Sequence, residues 1–378
     1  MSIILELTSP VAIEQPTPVR IALAADRSPV GALALQPEAG GPTLPAQRDG
    51  DDAIVMILPS LEAGKTVRFK IERAASTASG VELKAGDGTL EIHLPQGLFS
   101  TYYYSPNAPR PYFWPVHGPG QKRVTRSYPM EQQEGEQKDH PHHRSLWTAF
   151  DEVNGTNNWA ETEGHGWTRH QEFVRQEQGP VFGGFTARNL WTSADGQPIM
   201  TEARRVRVYN VGAEQRLLDY DVTWSAEHGP VTFGDTKEAG AIAVRVATSM
   251  DGARGGAIEN AEGGRGEKQC WGKKSPWCDY SGPVDGETLG IAILDHPTSF
   301  NHAPRWHVRD YGLFATNPFS TAAFGGKAET PFTLQPSQPV TFHYRVLIHR
   351  GGAREGHVAE AYRIFAEPPQ ARVVTEDE

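Results

Sequence analysis

The densest group of reactive side chains in the sequence lies in residues 139–147. Its first six residues contain an aspartate, three histidines and an arginine. Such groups titrate near neutral pH, bind metals or hold oxyanions, and burying them costs free energy that packing does not recover. The segment runs into the largely apolar residues 145–150, and junctions between a polar loop and a buried strand are where rigid scaffolds present reactive groups. We therefore predict the centre of an active site here, with a polar surface loop as the alternative.

The imidazoles of His140, His142 and His143 also offer a set of metal ligands. Residues i and i+2 share one face of a strand whereas residue i+3 points away, so all three converge only in an irregular loop. The sequence lacks the compact helical two-histidine motif of zinc enzymes, a glycine-rich phosphate loop and a dinucleotide fingerprint. A divalent metal on these histidines is therefore the one cofactor that the residues leave open.

Further groups with acid, base or anion-binding chemistry recur downstream of this segment, near the ends of predicted strands. The candidates are Glu238, Asp279, His296, His307 and Arg309. With the histidine segment they supply imidazoles near the working pH, carboxylates and guanidinium groups, which is the inventory of an acid/base site. Each has an ordinary alternative: Asp-His-Pro is commonly a turn, and Lys237 beside Glu238 forms an exposed pair of little energetic value. The aromatic segment 110–120 predicts a pocket wall, or a packed loop over a sheet end.

The elements that must position these residues are strands. The 378 residues include 39 glycines and 29 prolines, which favour many short strands over long helices, so the predicted class is all-β. The formal net charge of −10 argues against a nucleic-acid partner. No apolar run reaches the roughly 20 residues of a membrane span and no signal peptide is recognisable, so we expect no membrane partner and a cytoplasmic location. Cys270 and Cys278 match no redox or zinc spacing and are expected to be free thiols.

Two β modules are predicted. Residues 1–80 contain short strands of alternating polarity, such as 61–71, and predict a small immunoglobulin-like β-sandwich. Residues 81–378 contain long successive strands joined by short turns, and they predict a large antiparallel β-supersandwich that carries the active site. Residues 355–366 have apolar positions at helical spacing and precede Pro368, which predicts a C-terminal helix.

Several of these motifs, in their order along the chain, resemble the bacterial proteins known as the PmoA family or methane oxygenase PmoA, over about residues 90–350. The motifs are Arg110-Pro111-Tyr112-Phe113, residues 139–147, Trp277-x-Asp279-Tyr280-Ser281-Gly282, Asp295-His296-Pro297, residues 306–314 and Asn317-Pro318-Phe319. The membrane subunit of particulate methane monooxygenase is built from transmembrane helices, which this sequence lacks. The resemblance therefore implies a soluble β-sandwich protein, of a kind often encoded near sugar oxidoreductases and sugar isomerases.

A looser analogy at the level of the fold links the sequence to galactose mutarotase, whose large sandwich places histidines and a carboxylate around a sugar in an open groove. The resemblance thus implies a carbohydrate-active enzyme that performs elimination, hydrolysis or epimerisation on a sugar or oxidised sugar. In this interpretation His140 or His142 is the general base, His307 or His296 is the acid, and Glu238 orients an imidazole or serves as the second carboxylate.

Six further residues are predicted to contact the substrate, by holding its oxygens or stacking on its apolar face: Tyr112, Trp114, Arg144, Asp279, Trp306 and Arg309. Two other classes of protein stay open. A non-catalytic sugar-binding protein would use the same aromatic residues, and a metal-dependent oxygenase would bind a metal through His140, His142 or His143. The sequence leaves the oligomeric state open.

Overall fold

Strands dominate the computed structural model, which describes residues 2–23, 31–74 and 79–376. Within these residues the strands form four antiparallel sheets, and two short α-helices complete the chain. The predicted all-β class is confirmed. Neither helix of this described part is long and apolar enough to cross a membrane.

The first module is a seven-stranded sheet. Its strands are β1 (Ser2–Thr8), β2 (Thr17–Ala22), β3 (Leu33–Pro37), β4 (Leu44–Arg48), β5 (Ala53–Leu58), β6 (Thr66–Arg73) and, from the end of the chain, β27 (Gln370–Glu376), in the order β2-β5-β4-β3-β6-β1-β27. Polarity alternates along β6, which places Phe69 and Ile71 in a core with Leu5, Leu7 and Leu35. The alternation predicted for this segment is confirmed.

The last strand of the chain returns to the first module. β27 pairs with β1 in a continuous register, from Ser2 opposite Glu376 to Thr8 opposite Gln370. The end of the chain therefore forms an edge strand of the N-terminal sheet. A domain boundary near residue 80 stays a prediction. If the boundary is there, the chain crosses it a second time, because β27 belongs to the N-terminal sheet.

The central candidate residues lie on or beside an eight-stranded sheet, called the site sheet below. Its strands are β7 (Glu82–Gly86), β8 (Thr89–Leu94), β9 (Gly97–Tyr103), β10 (Tyr112–Val116), β11 (Leu146–Phe150), β19 (Ala239–Arg245), β23 (Arg305–Val308) and β24 (Leu313–Asn317), in the order β23-β24-β19-β11-β10-β9-β8-β7. The order brings together strands that are far apart in the sequence, because β19 pairs with both β11 and β24.

A second eight-stranded sheet packs against the inner face of the site sheet. Its strands are β14 (Trp167–Glu177), β15 (Phe182–Thr192), β16 (Pro198–Tyr209), β17 (Arg216–Ser225), β20 (Ala257–Asn260), β21 (Trp277–Val284), β22 (Glu287–Asp295) and β26 (Val340–Arg350), in the order β14-β15-β16-β17-β26-β22-β21-β20. Phe113 and Phe314 of the site sheet share one core with Trp191, Tyr220 and Trp224 of the second sheet. The two packed sheets form the predicted large sandwich, in which each fully buried apolar side chain contributes about 1.5–3 kcal/mol.

A small four-stranded sheet covers part of this core. It consists of β12 (Glu152–Val153), β13 (Thr156–Asn157), β18 (Val231–Phe233) and β25 (Phe332–Leu334), in the order β13-β12-β18-β25. Val153, Phe233 and Leu334 are buried and join the core of the large sandwich. This sheet therefore belongs to the large module in its packing.

The helices are α1 (Gly266–Cys270) and α2 (Val358–Ala366). The helix predicted over residues 355–366 is confirmed but begins at Val358, because His357 has a left-handed φ of 51°, which an α-helix cannot contain. Ile364 of α2 packs into the core of the first module. Cys270 and Cys278 are buried free thiols, as expected.

Candidate active site

One row of side chains crosses the outer face of the site sheet. Residues directly opposite each other on neighbouring antiparallel strands point to the same face. The register places six residues in such a row, from β9 to β23: Tyr103, Tyr112, Trp147, Ala243, Ala315 and His307. Their strand neighbours Phe113 and Phe314 point the other way, into the core of the sandwich. The predicted residues Tyr112 and His307 therefore share one surface.

Above this row, Asp139 and His140 form a hydrogen-bonded dyad. The Nδ1–H group of His140 donates to Oδ2 of Asp139 over 2.6 Å, which leaves Nε2 of the imidazole as a proton acceptor. Oδ1 of Asp139 accepts hydrogen bonds from Arg126 and Arg245, at 2.5 and 2.8 Å. Although burial opposes it, Arg245 and the bond to His140 hold the pKa of Asp139 below its ordinary value. The ring of His140 stacks on Tyr311 with centroids 5.1 Å apart.

The other two histidines of the segment are less accessible. His143 is fully buried, accepts a hydrogen bond from Arg245 at 3.1 Å, and has a pKa lowered well below its ordinary value by burial. Burial and the neighbouring Arg110 lower the pKa of His142 to about 4. Both imidazoles are therefore neutral at pH 7. The charge of Glu238 acts on His142, which places these two predicted residues in one site.

The predicted metal site of His140, His142 and His143 does not form. The rings of His140 and His143 stack at 4.7 Å with an interplanar angle of 7°. Lone pairs in the planes of two parallel stacked rings do not converge on one ion. Nδ1 of His140 and Nδ1 of His143 are also occupied, by Asp139 and Arg245. In residues 2–23, 31–74 and 79–376, no three His, Cys, Asp or Glu side chains are arranged to hold a metal.

Arg144 is committed to a carboxylate that the sequence analysis did not single out. Its Nε and Nη2 groups donate to Glu161 at 2.7 and 2.6 Å, the bidentate geometry of a strong ion pair. The buried guanidinium of Arg110 donates to the same carboxylate at 3.0 Å. Arg144 also lies over the ring of Tyr112, with 5.5 Å between the guanidinium carbon and the ring centroid. These contacts position Arg144 at the site and pair its Nε and Nη2 groups with Glu161.

Glu238 lies between an imidazole and an ammonium group. It immediately precedes β19; its Oε2 atom is 3.9 Å from Nδ1 of His307, and Lys237 pairs with its Oε1 atom. Although burial opposes it, His307 and Lys237 hold the pKa of Glu238 below its ordinary value, so the carboxylate is ionised at neutral pH. The side chain of Glu238 is 31% exposed. Glu238 is therefore an accessible carboxylate beside the buried imidazole of His307.

His307 is fully buried, and burial lowers the pKa of its imidazole to about 4 against the opposing charge of Glu238. Neither ring nitrogen makes a well-formed hydrogen bond to a described protein group; the Glu238 carboxylate and the Lys237 backbone are its polar neighbours. A buried polar group without a partner costs about 1–3 kcal/mol. Such a cost is retained in functional sites, where a ligand group completes the hydrogen bonding.

Arg309 and Tyr311 form the wall of the site beside His140. The Nε atom of Arg309 is 2.8 Å from Oε1 of Glu267 in α1, and the guanidinium lies over the ring of Tyr311 at 5.4 Å. Arg245 lies over the same ring at 4.9 Å. Burial raises the pKa of Tyr311 to about 12, so the phenol is protonated and can donate a hydrogen bond. The predicted placement of Arg309 near the histidines agrees with this geometry.

Two predicted aromatic residues have other surroundings. Trp306 is fully buried, donates its indole N–H to the carbonyl of Ser275 at 2.9 Å, and stacks on Phe314 in the core. Because it neighbours His307 in the strand, it points to the opposite face and cannot stack on a substrate. Trp114 follows Tyr112 by two residues in β10 and shares the outer face with it. The guanidinium of Arg123 lies over the ring of Trp114 at 5.9 Å.

Asp279 and His296 also lie apart from the histidine segment. Asp279 is buried in the second sheet, where Oδ1 accepts a 2.8 Å hydrogen bond from Nε2 of the buried His349. His296 follows β22; it contacts Thr298 at 2.7 Å and lies beside the ring of Phe365 in α2. These contacts give both residues roles in the packing of the second sheet and α2. The structure does not bring either one to the site sheet.

The site contains residues that the sequence analysis did not name as candidates. Tyr311 lies within the motif of residues 306–314. The signal that could have identified it is an aromatic residue two positions after Arg309. Glu161 lies in the polar loop of residues 151–166, which holds several similar side chains. Arg245 ends a buried strand and carries no local signal, because its partners Asp139 and His143 come from a distant part of the chain.

Two solved structures illustrate the comparison with known folds. One is a protein of glycosyl hydrolase family 38 from Enterococcus faecalis, with 9% identity and a TM-score of 0.47, which covers 100% of this chain and 48% of that protein. The other is an alpha-mannosidase from Enterococcus faecalis V583, with 9% identity and a TM-score of 0.44, which covers 100% of this chain and 46% of that protein. The chain spans about half the length of each.

A comparison with curated proteins gives no match. A protein-family model matches residues 89–363, which include the site sheet from β8 onward, the second sheet and the histidine segment. This match covers well over half of the chain. The chain therefore belongs to the family of unknown function DUF6807.

Proposed function

We propose that this chain is a carbohydrate-active enzyme that moves protons on a sugar or oxidised sugar, by elimination, hydrolysis or epimerisation. The observation that carries the proposal is the pair of Glu238 and His307. A fully buried imidazole, whose ring nitrogens make no well-formed hydrogen bond to a described protein group, lies 3.9 Å from an accessible carboxylate. The Asp139–His140 dyad lies above the same sheet face. Packing alone does not favour this arrangement, because the unpartnered nitrogens are a cost.

His140 is the general base of the proposed mechanism. Asp139 accepts the Nδ1 proton and so holds the imidazole in the tautomer whose Nε2 atom can take a proton from the substrate. Arg126 and Arg245 keep Asp139 ionised, which stabilises the imidazolium that forms. A positioned base of this kind accelerates proton transfer by about 10²- to 10⁴-fold. The side chain of His140 is 40% exposed, so a ligand can reach it.

His307 acts as a neutral hydrogen-bond donor in this mechanism. With a pKa of about 4 its imidazole is uncharged at neutral pH, and a neutral N–H group aimed at a developing oxyanion stabilises the transition state. Glu238 orients this imidazole and serves as the second proton-transfer group, as its position 3.9 Å away favours. Tyr311 supplies a protonated phenol on the opposite wall.

Aromatic rings line the candidate site. Tyr112 and Tyr103 stack in parallel on the outer face of the site sheet, with centroids 5.1 Å apart. Tyr311 stacks on His140 above the same sheet. Aromatic walls combined with a few convergent polar groups are typical of small-ligand sites. The resemblance to the PmoA family enters this proposal only as a resemblance to β-sandwich proteins. The proposed mechanism assigns no step to a metal.

The experiment is a screen of mono- and oligosaccharides, and of their oxidised forms, for turnover by the purified chain. His140→Ala and His307→Ala are compared with His93→Gln, which alters a histidine elsewhere on the site sheet that pairs with Glu91 at 2.7 Å. We expect loss of turnover in the first two variants and full activity in the third. If His140→Ala and His307→Ala both retain turnover, the proposal is wrong. Sugar binding by all three proteins without any turnover would instead indicate a non-catalytic binding protein.

A further inference from the structure

Six cations and four anions form ion pairs around the histidine segment, in a chain whose net charge is −10. The cations are Arg110, Arg126, Arg144, Lys237, Arg245 and Arg309, and the anions are Asp139, Glu161, Glu238 and Glu267. Asp151 and Asp251 also act on Lys237 and Arg245, so the charges of the site nearly balance. An anionic ligand would therefore be bound by an individual exposed cation and not by an excess of positive charge.

Most of these cations are already occupied. Arg110 and Arg144 share the carboxylate of Glu161. Arg126 and Arg245 are buried and hold Asp139. Each therefore has a structural partner that a substrate would have to displace, at the cost of leaving a buried charge unpaired. These four arginines shape the site and are not free to bind a ligand anion.

Arg309 is more exposed than these four arginines. Its side chain is 31% exposed, and it makes one ion pair, through Nε, with Glu267. The printed contact of this pair joins Nε of Arg309 to Oε1 of Glu267 over 2.8 Å, and the Glu267 side chain is itself 27% exposed, so a ligand can approach both groups. Its guanidinium lies over Tyr311, whose ring stacks on His140, and its charge acts on His307. Arg309 is therefore next to both proposed catalytic imidazoles.

We propose that the substrate is a sugar acid whose carboxylate is bound by the terminal nitrogens of Arg309. This inference rests on the proposed function and narrows its substrate from sugars in general to carboxylated sugars. A guanidinium binds a carboxylate through two parallel hydrogen bonds, which fixes the orientation of the ligand as well as its affinity. Lys237, 43% exposed, pairs with Glu238 and adds a second positive charge near the bound anion. The sugar ring then lies between Arg309 and the imidazoles.

The test uses pairs of ligands that differ at one carbon: glucuronate against glucose, and galacturonate against galactose. Calorimetric titration of the full chain is expected to show about tenfold or tighter binding of the acid in at least one pair. The preference is expected to weaken at high ionic strength, because the contact is electrostatic. Arg309→Gln is expected to remove the preference, whereas Arg309→Lys retains part of it.

Two variants keep the result interpretable. Arg188→Gln removes a more exposed positive charge of the second sheet, which pairs with Glu227, and this variant is expected to bind the acids as the unaltered chain does. Glu267→Gln removes the carboxylate that competes for Arg309, and tighter binding of the acid is expected. If Arg309→Gln fails to fold, the Glu267→Gln variant still decides the question.

The outcomes separate this inference from the proposed function. Equal binding of acids and neutral sugars, or binding of neither, overturns the inference. If the chain also turns over a neutral sugar and His140→Ala abolishes this turnover, the proposed function is supported although the inference is wrong. A preference for acids that depends on Arg309, without turnover of any bound acid, supports the inference and counts against the enzymatic function. A preference that Arg309→Gln and Arg188→Gln reduce equally also overturns it, because net charge then explains the effect.

Discussion

His307 and Glu238 face each other at the edge of the site sheet, with Nδ1 of the imidazole 3.9 Å from Oε2 of the carboxylate. Strand β24 lies between β23, which carries His307, and β19, which Glu238 precedes. The imidazole is fully buried, while the carboxylate is 31% exposed. This relationship determines several measurable properties of the chain.

Loss of either member of this pair is expected to slow catalysis without abolishing binding. Glu238→Gln and His307→Gln each remove a group that acts on the reacting atoms, so we expect kcat to fall by about 10²- to 10³-fold with a small change in KM. Steady-state kinetics on the substrate found by screening measure this. The control is His93→Gln, and unchanged kcat in both site variants would contradict the assignment.

Asp139→Asn is expected to lower kcat by about 10²- to 10⁴-fold, because an amide group no longer holds His140 in the required tautomer. The same change leaves buried Arg126 and Arg245 without an ionised partner and is expected to cost about 1–3 kcal/mol of unfolding free energy. Kinetics and urea denaturation measure the two effects. His140→Gln is the matched variant, since it should lose activity yet keep both arginines paired with Asp139. Full activity of Asp139→Asn would refute the dyad.

The buried imidazole of His307 predicts a loss of stability in acid. Its pKa is near 4 in the folded chain and 6.5 in the unfolded chain, so between these values the unfolded chain binds the additional proton. The stability is complete above pH 6.5 and falls as the pH decreases toward 4, by about 3 kcal/mol at most for this one group. We expect the difference in unfolding free energy between the chain and its His307→Gln variant to change with pH across this interval and to be constant above it. Denaturation at pH 4.5, 5.5 and 7.5 tests this, and parallel curves would contradict it.

Asp279 and His349 predict the opposite pH dependence. Although burial opposes it, Asp279 raises the pKa of His349, so the stabilising charge pair is complete below pH 6.5 and is lost as the pH rises through the folded pKa of His349. Asp279→Asn is therefore expected to destabilise the chain more at pH 5.5 than at pH 8.5, with unchanged KM. Denaturation and kinetics at both pH values measure this. A raised KM with unchanged stability would contradict this interpretation and support the predicted role of Asp279 in substrate binding.

Much of the fold follows from local patterns in the sequence. Alternation of polarity places Phe69 and Ile71 on the core face of β6, and the spacing of apolar residues before Pro368 predicts α2. The histidine segment was recognisable because reactive groups are concentrated there next to a buried strand. Of the candidate residues, His140, His142, Glu238, His307 and Arg309 lie on or beside the site sheet, and their function as one active site stays a prediction.

The sequence by itself therefore determined the all-β class, the helix at the end of the chain and the chemical inventory of the site. Only the tertiary structure decided which neighbour in a strand points outward. His307 faces the site and Trp306 the core, because the pairing of β23 with β24, and of β24 with β19, sets the face. It also paired Asp279 with His349, placed His296 beside α2, and stacked His140 on His143, so that the three histidines of the segment do not converge on one ion. A period of two specifies that neighbouring side chains oppose each other, but the face that is buried depends on contacts between strands far apart in the chain.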